Sequence, residues 1–255
     1  MQTLFEPTDP VVAKELAQKT IRLADRCREK IGNEPAFMEV CGSHTMALAK
    51  SGIKLILKGH VNMISGPGCP VCVTDQKQID AMIELAEADD RIVCTFGDMM
   101  RVPGSKRSLQ HAKTEGRDIR VVYSPLDAVR IAEENPEMQV VFLGVGFETT
   151  VPVLAAAIQM AAEKDLQNFS MWTSTKLVRP VLRTLLTVKK VKINGFLLPG
   201  HVSIVLGGNA YQFLVDDFQM PGVISGFEPA GMLSSIYKLL QLVDEGLSLI
   251  HISEP

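Results

Sequence analysis

Val61-Asn-Met-Ile-Ser65-Gly-Pro-Gly-Cys69-Pro-Val-Cys72 runs into Thr74-Asp-Gln-Lys-Gln-Ile-Asp-Ala-Met-Ile-Glu-Leu-Ala-Glu-Ala88 and then Arg91-Ile-Val-Cys-Thr-Phe96. A short apolar run, a Gly-Pro-Gly turn, apolar residues at helical spacing and a second short apolar run describe one βαβ unit. The same alternation extends along the chain. Strands are expected at 36–40, 61–65, 91–96, 119–123, 139–144, 169–173, 194–198 and 222–225. Helices are expected at 43–51, 74–88, 107–115, 125–134, 150–163, 176–187, 208–215 and 229–244. Brief β-branched runs alternating with longer helices imply parallel sheet. The fold class expected is α/β, with two similar lobes of parallel βαβ units, helices on both faces, and an N-terminal helix over 10–31.

The punctuation changes at Ser124-Pro125, with four strands on either side. The expected organisation is therefore an N-terminal helical segment (1–34), a first α/β lobe carrying the cysteine motifs (35–124) and a second lobe (125–246). The last residues, Leu247-Ser-Leu-Ile-His-Ile-Ser-Glu-Pro255, resemble translated sequencing-adapter read-through. They are expected to be a non-native tail on a chain whose natural sequence continues beyond Gly246, and His251 is given no function.

Composition narrows the function. The 255 residues are 46% hydrophobic and 22% charged, ordinary for a globular protein. A net charge of −3 gives no electrostatic footprint for nucleic acid. No apolar stretch reaches the ~18 residues of a membrane helix, and no basic region with an apolar core marks a secretory signal. The cysteines, at 27, 41, 69, 72 and 94, are odd in number and sparse. That argues against a disulfide framework and for a reducing compartment, so a cytoplasmic location is expected.

Unusual residues gather just after the predicted strands, the edge where open parallel sheets bind ligands. Cys41 and His44 lie three apart at a helix start. They can face one side of the first turn, as a metal-binding pair or a nucleophile–base pair, or simply pack. Cys69-Pro-Val-Cys72 is placed at the start of helix 74–88, where the macrodipole favours thiolate. It can serve dithiol–disulfide exchange or half a zinc site, the latter lacking a second pair; otherwise it is two small hydrophobes. Glu148 and Glu228 each stand in Gly-Phe-Glu before a helix, either as cleft carboxylates or as caps of that helix. His201 can be a ligand, a proton carrier or a structural hydrogen-bonding group. Cys27 and Cys94 read as packing residues. Together these side chains would line a cleft, expected between two α/β lobes.

Seven motifs in order carry a specific resemblance: Cys41-Gly-Ser-His44-Thr, Gly66-Pro-Gly-Cys-Pro-Val-Cys72, Thr95-Phe-Gly-Asp98, Arg101-Val-Pro-Gly104, Gly146-Phe-Glu-Thr-Thr150, Pro199-Gly-His-Val202 and Gly226-Phe-Glu-Pro229. From about residue 36 to residue 244 the chain resembles the HypD family of NiFe hydrogenase maturation factors. The resemblance implies a cytoplasmic scaffold with redox activity rather than a conventional turnover enzyme. Such a scaffold binds the chaperone HypC, meets the cyanide donor HypE, and indirectly serves the hydrogenase large subunit. On it an iron carrying two cyanides and one carbon monoxide, Fe(CN)2CO, is assembled. By motif match Cys41 would be the iron-ligand thiolate with His44 beside it, and Cys69 and Cys72 the redox-active dithiol. Glu148, His201 and Glu228 would line the same cleft. Family members also hold a 4Fe-4S cluster through four cysteines in a C-terminal region, and those ligands are absent from this chain. Met46 stands where some members have a further histidine. The competing reading is a general thiol–disulfide oxidoreductase using the Cys69–Cys72 pair.

Overall fold

The computed structural model describes residues 10–188 and 191–252. Its strands are β1 (Ala36–Glu39), β2 (Asn62–Ser65), β3 (Arg91–Thr95), β4 (Ile119–Val121), β5 (Gln139–Gly146), β6 (Phe169–Thr175), β7 (Gly195–Pro199), β8 (Gly222–Ser225) and β9 (Ile250–Ile252). All eight strands expected from the sequence are present. They form two wholly parallel sheets, ordered β2-β1-β7-β8-β9 and β4-β3-β5-β6. The chain divides accordingly into two compact units. One comprises residues up to Gly68 and from Arg179 onward; the other is Cys69–Val178.

This division corrects the expected lobes 35–124 and 125–246. β3 pairs with β5 across the supposed boundary, Val93 opposite Val141, and β1 pairs with β7, Phe37 opposite Gly195. Ser124-Pro125 is a helix start, not a linker. The Ser124 hydroxyl accepts the Leu126 N–H, and the Asp127 carboxylate accepts the Ser124 N–H. That capping box opens the helix Pro125–Glu134, with proline at its first position. Of the residues expected to be a non-native tail, Ile250–Ile252 pair as β9 on the edge of β8, Val223 opposite His251, and 253–255 lie outside the described residues.

Strand periodicity explains the second unit. Ile92, Cys94, Val140 and Phe142 point to one face and pack with Ala128, Ala132 and Leu154 of the helices Pro125–Glu134 and Val151–Glu163. Val93, Val141, Leu143 and Val145 point to the other and pack with Ile79, Met82, Leu109 and Ala112. A sheet covered on both faces must be apolar at every position, so β3 and β5 read as continuous runs rather than alternating ones.

In the first unit the helices Pro10–Ile31 and Pro229–Glu245 pack together over Phe37, Leu197 and Val223, burying Ala24, Cys27, Ile236, Leu239 and Leu240. The Cys27 thiol donates to the Leu240 carbonyl at 3.3 Å, and burial pushes it up to about 11. Cys94, inside β3, is pushed up to about 12 by burial. Neither sulfur is available as thiolate at neutral pH. Among the described residues no helix is long and apolar enough to cross a membrane.

Candidate functional site

Both sheets share one winding rule. The chain steps from β1 to its neighbour β2, then returns to pair β7 on the other side of β1; likewise β3 to β4, then back to β5. The place where the winding reverses opens a crevice beyond the carboxyl ends of the two central strands, where α/β sheets bind ligands. In the first unit that crevice is flanked by Cys41, after β1, and His201, after β7. In the second it is flanked by Asp98, after β3, and Glu148, after β5.

Cys41 caps the helix Gly42–Lys50 with extended backbone, φ −164° and ψ 133°. It is 7% exposed. Its sulfur caps no backbone N–H, so the thiol is not spent on the helix. The turn before the second cysteine motif presses directly on it. The Gly66 N–H donates to the Glu39 carbonyl at 2.9 Å, and the Gly42 N–H donates to the Gly68 carbonyl at 3.3 Å. A β-carbon on Gly68 would overlap the Gly42 nitrogen and sit 2.6 Å from the Cys41 carbonyl carbon. Glycine at 68 therefore answers to a neighbouring backbone rather than to turn conformation.

His44 is fully buried. Its Nε2 lies 3.0 Å from the Gly226 carbonyl and 3.3 Å from the Ser225 carbonyl. Carbonyls only accept, so Nε2 carries the proton and Nδ1 is a bare lone pair, buried with no partner. Burial lowers the His44 pKa, and the hydrogen bonds to the two carbonyls oppose this in part. The Phe227 ring packs against both histidine rings, its centroid 4.8 Å from that of His44 and 5.2 Å from that of His201. His201 is exposed at the start of the helix Gly200–Leu206, and packing on its ring lowers its pKa. Glu228 precedes the helix Pro229–Glu245 with its side chain exposed and not capping.

A buried neutral imidazole carries a pH signature. The unfolded chain takes up a proton below about pH 6.5, whereas folded His44 resists it to lower pH. Stability at His44 is thus complete above about 6.5 and is lost as pH falls below it. We expect the drop in melting temperature between pH 7.5 and 5.5 to shrink in His44→Gln. An unchanged drop would show that His44 does not titrate in this way.

One functional-looking residue escapes the sequence reading. Glu39, the last residue of β1, is fully buried. Its Oε1 accepts hydroxyls from Ser65 at 2.9 Å and Thr45 at 3.3 Å, with Lys54 Nζ at 3.9 Å. Its Oε2 has no partner. The available signal was a carboxylate inside the apolar run Ala36–Val40, where an acid is expensive unless it is paired.

The second unit holds Cys69, Cys72 and Glu148. The cysteine pair does not sit at a helix N-terminus as expected. It occupies a turn held by the Thr74 hydroxyl on the Pro70 carbonyl at 2.8 Å, and the helix Gln76–Leu85 begins only after Asp75, whose carboxylate caps it. Both thiols are free, Cys69 half-buried and Cys72 exposed. A hydrogen bond to Cys69, then burial, raises the Cys72 pKa. The two sulfurs are thus neighbours in the reduced state. Glu148 is buried, and its Oε1 accepts the Val178 N–H at 2.7 Å. It caps the helix Val178–Thr187 rather than the one that follows it, and its Oε2 has no partner.

Among the described residues no group of three or more His, Cys, Asp or Glu is arranged to hold a metal. With Cys27 and Cys94 each buried in the core of its own unit, the thiolates of neither unit number the four that such a cluster takes.

Fold and site define an α/β protein with a sequestered thiol at the winding reversal of one parallel sheet and a free, accessible dithiol in its second unit. The family model HypD, described as the hydrogenase formation hypA family, matches residues 12–253. The hydrogenase maturation factor HypD of Rhodobacter capsulatus is 44% identical over 251 residues, 98% of this chain and 67% of that protein. HypD of Escherichia coli (strain K12) is 48% identical over 205 residues, 80% of this chain and 55% of that protein. HypD of Rhizobium leguminosarum bv. viciae is 43% identical over 253 residues, 96% and 64%. The chain belongs to the HypD family, and it spans from 55% to 67% of the length of these relatives.

Proposed function

We propose that this chain is a hydrogenase maturation scaffold on which, together with HypC, the Fe(CN)2CO unit is carried and assembled before it reaches the hydrogenase large subunit. HypE supplies the cyanide. Cys41 is the iron-ligand thiolate, and Cys69 and Cys72 are the redox-active pair. The observation that carries this reading is the Cys41 turn: a sequestered thiol, free of any capping bond, at the N-cap of the helix whose first turn holds His44, a buried imidazole with an open lone pair. Soft thiolate suits iron bearing strong-field ligands.

Iron here is cargo. His44, neutral and unable to donate from Nδ1, can accept a proton or a donor from the incoming unit. His201 and Glu228, exposed on either side of Phe227, can exchange protons with solvent. The dithiol supplies two electrons by closing to a disulfide with loss of two protons, and a reductant must reopen it. Within the second unit Glu148 keeps one oxygen unpartnered while its other oxygen holds the helix at Val178. The 4Fe-4S cluster is left to the residues that the longer relatives possess, and the cytoplasm is the proposed compartment.

The test is anaerobic co-purification with HypC followed by infrared spectroscopy in the cyanide and carbonyl stretching region. Both kinds of band are expected with wild-type chain, and they should weaken at least tenfold in a Cys69→Ser/Cys72→Ser variant. The hydrogen-bonded pair of thiols gives the oxidoreductase reading its one point of support. Turnover of a general disulfide substrate that survives Cys41→Ala, with no bands in any variant, would establish that reading instead.

A further inference from the structure

We propose that Glu39 is the positioning residue that holds the Cys41 turn closed, and that it acts through the acceptor atom Oε1 rather than through its charge. This goes beyond the scaffold reading and rests on it only for the importance of Cys41. Glu39 and Cys41 are two apart on an extended backbone, so their side chains leave the same face of the sheet. Oε1 gathers two hydroxyls from opposite directions in sequence: Thr45, in the first turn of the helix that Cys41 caps, and Ser65, the last residue of β2. The Glu39 carbonyl receives the Gly66 N–H. One residue therefore ties down the helix after Cys41 and both residues leading into the Gly66–Gly68 turn. Thr45 completes the link: its single hydroxyl proton is shared between Glu39 Oε1 and the Cys41 carbonyl, 3.4 Å away. A buried carboxylate is a costly way to fill that position, and no apolar residue could receive two donors at one point.

Glutamine keeps an oxygen at that point and removes the charge; alanine removes both. Peptide-resolved iodoacetamide labelling of the full chain reads each cysteine separately. In Glu39→Ala, labelling of Cys41 should rise at least tenfold while buried Cys27 and Cys94 stay as slow as in wild type. Glu39→Gln should restore Cys41 to within twofold of wild type. Should Glu39→Ala not fold, Thr45→Val/Ser65→Ala removes the two donors and should reproduce the tenfold rise. Wild-type labelling of Cys41 in the folded alanine or double variant would overturn the proposal. So would glutamine behaving as alanine does, or Cys27 and Cys94 accelerating in step with Cys41, which would signal general loosening. Infrared bands measured on the same samples separate the two readings: expected labelling with no bands in wild type defeats the iron assignment and leaves Glu39 as placed.

Discussion

Cys41→Ala should abolish hydrogenase maturation in a strain that depends on this chain, and should leave its melting temperature within a few degrees of wild type. Both halves follow from geometry. The sulfur caps no helix N–H, so its removal costs no hydrogen bond to the fold. Cys41 is nevertheless buried, so the transfer and cavity cost of losing a small side chain remains, about 1 kcal/mol. At about 2–4 °C per kcal/mol for a chain of this size the shift stays small. Function, in contrast, rests on the sulfur itself: among the described residues no group of three or more His, Cys, Asp or Glu is arranged to hold a metal in its place. Matured hydrogenase at wild-type levels in the variant would refute the iron-ligand role. Complete loss together with a collapsed melting curve would leave that role without support from this variant.

Gly68→Ala should be nearly as damaging, for an unrelated reason. Its new methyl would meet backbone atoms of Cys41 and Gly42, which cannot swing aside as a flexible side chain can. Overpacking against fixed structure costs roughly 3 kcal/mol, which lowers the melting temperature by roughly 6–12 °C. The control is the same contact seen from its other side. A β-carbon on Gly42 would lie 3.6 Å from the Gly68 oxygen, an ordinary distance, so Gly42→Ala should melt within about 2 °C of wild type. Equal melting of the two variants would mean that the turns are not packed as described.

The pair shows what a sequence can and cannot announce. The glycines around Cys69 were legible as a turn, but nothing in Gly66-Pro-Gly68 says that residue 68 lies on residue 42. Strand identity was equally legible, because β-branched runs such as Gln139–Leu143 have no helical alternative at that length. Strand partnership was not. Phe37 meets Gly195 through a pairing that no local period records, so the lobes were divided at a helix cap instead. The sequence pattern starts a helix at residue 74, which puts Cys69 and Cys72 at its N-terminus; Asp75 caps the helix instead, so it begins at Gln76 and leaves the pair in the preceding turn. Glu39 gives no signal of its own because its neighbours in the strand are apolar, and only folding brings up the two hydroxyls that make its burial tolerable.

The insertion of one unit's sequence between the two segments of the other has a consequence for synthesis. Residues 69–178 supply all four strands of their sheet in one continuous stretch, whereas β1 and β2 have no further strand to join until β7 has been made. At about 5–20 residues per second that wait is on the order of ten seconds. Throughout it Phe37 and Met63 are without their final cover and the Cys41 turn lacks the carbonyls that hold His44. The sheet that begins first is therefore the last to close, and the newborn chain meets a cell's chaperones with its future thiol centre still unassembled.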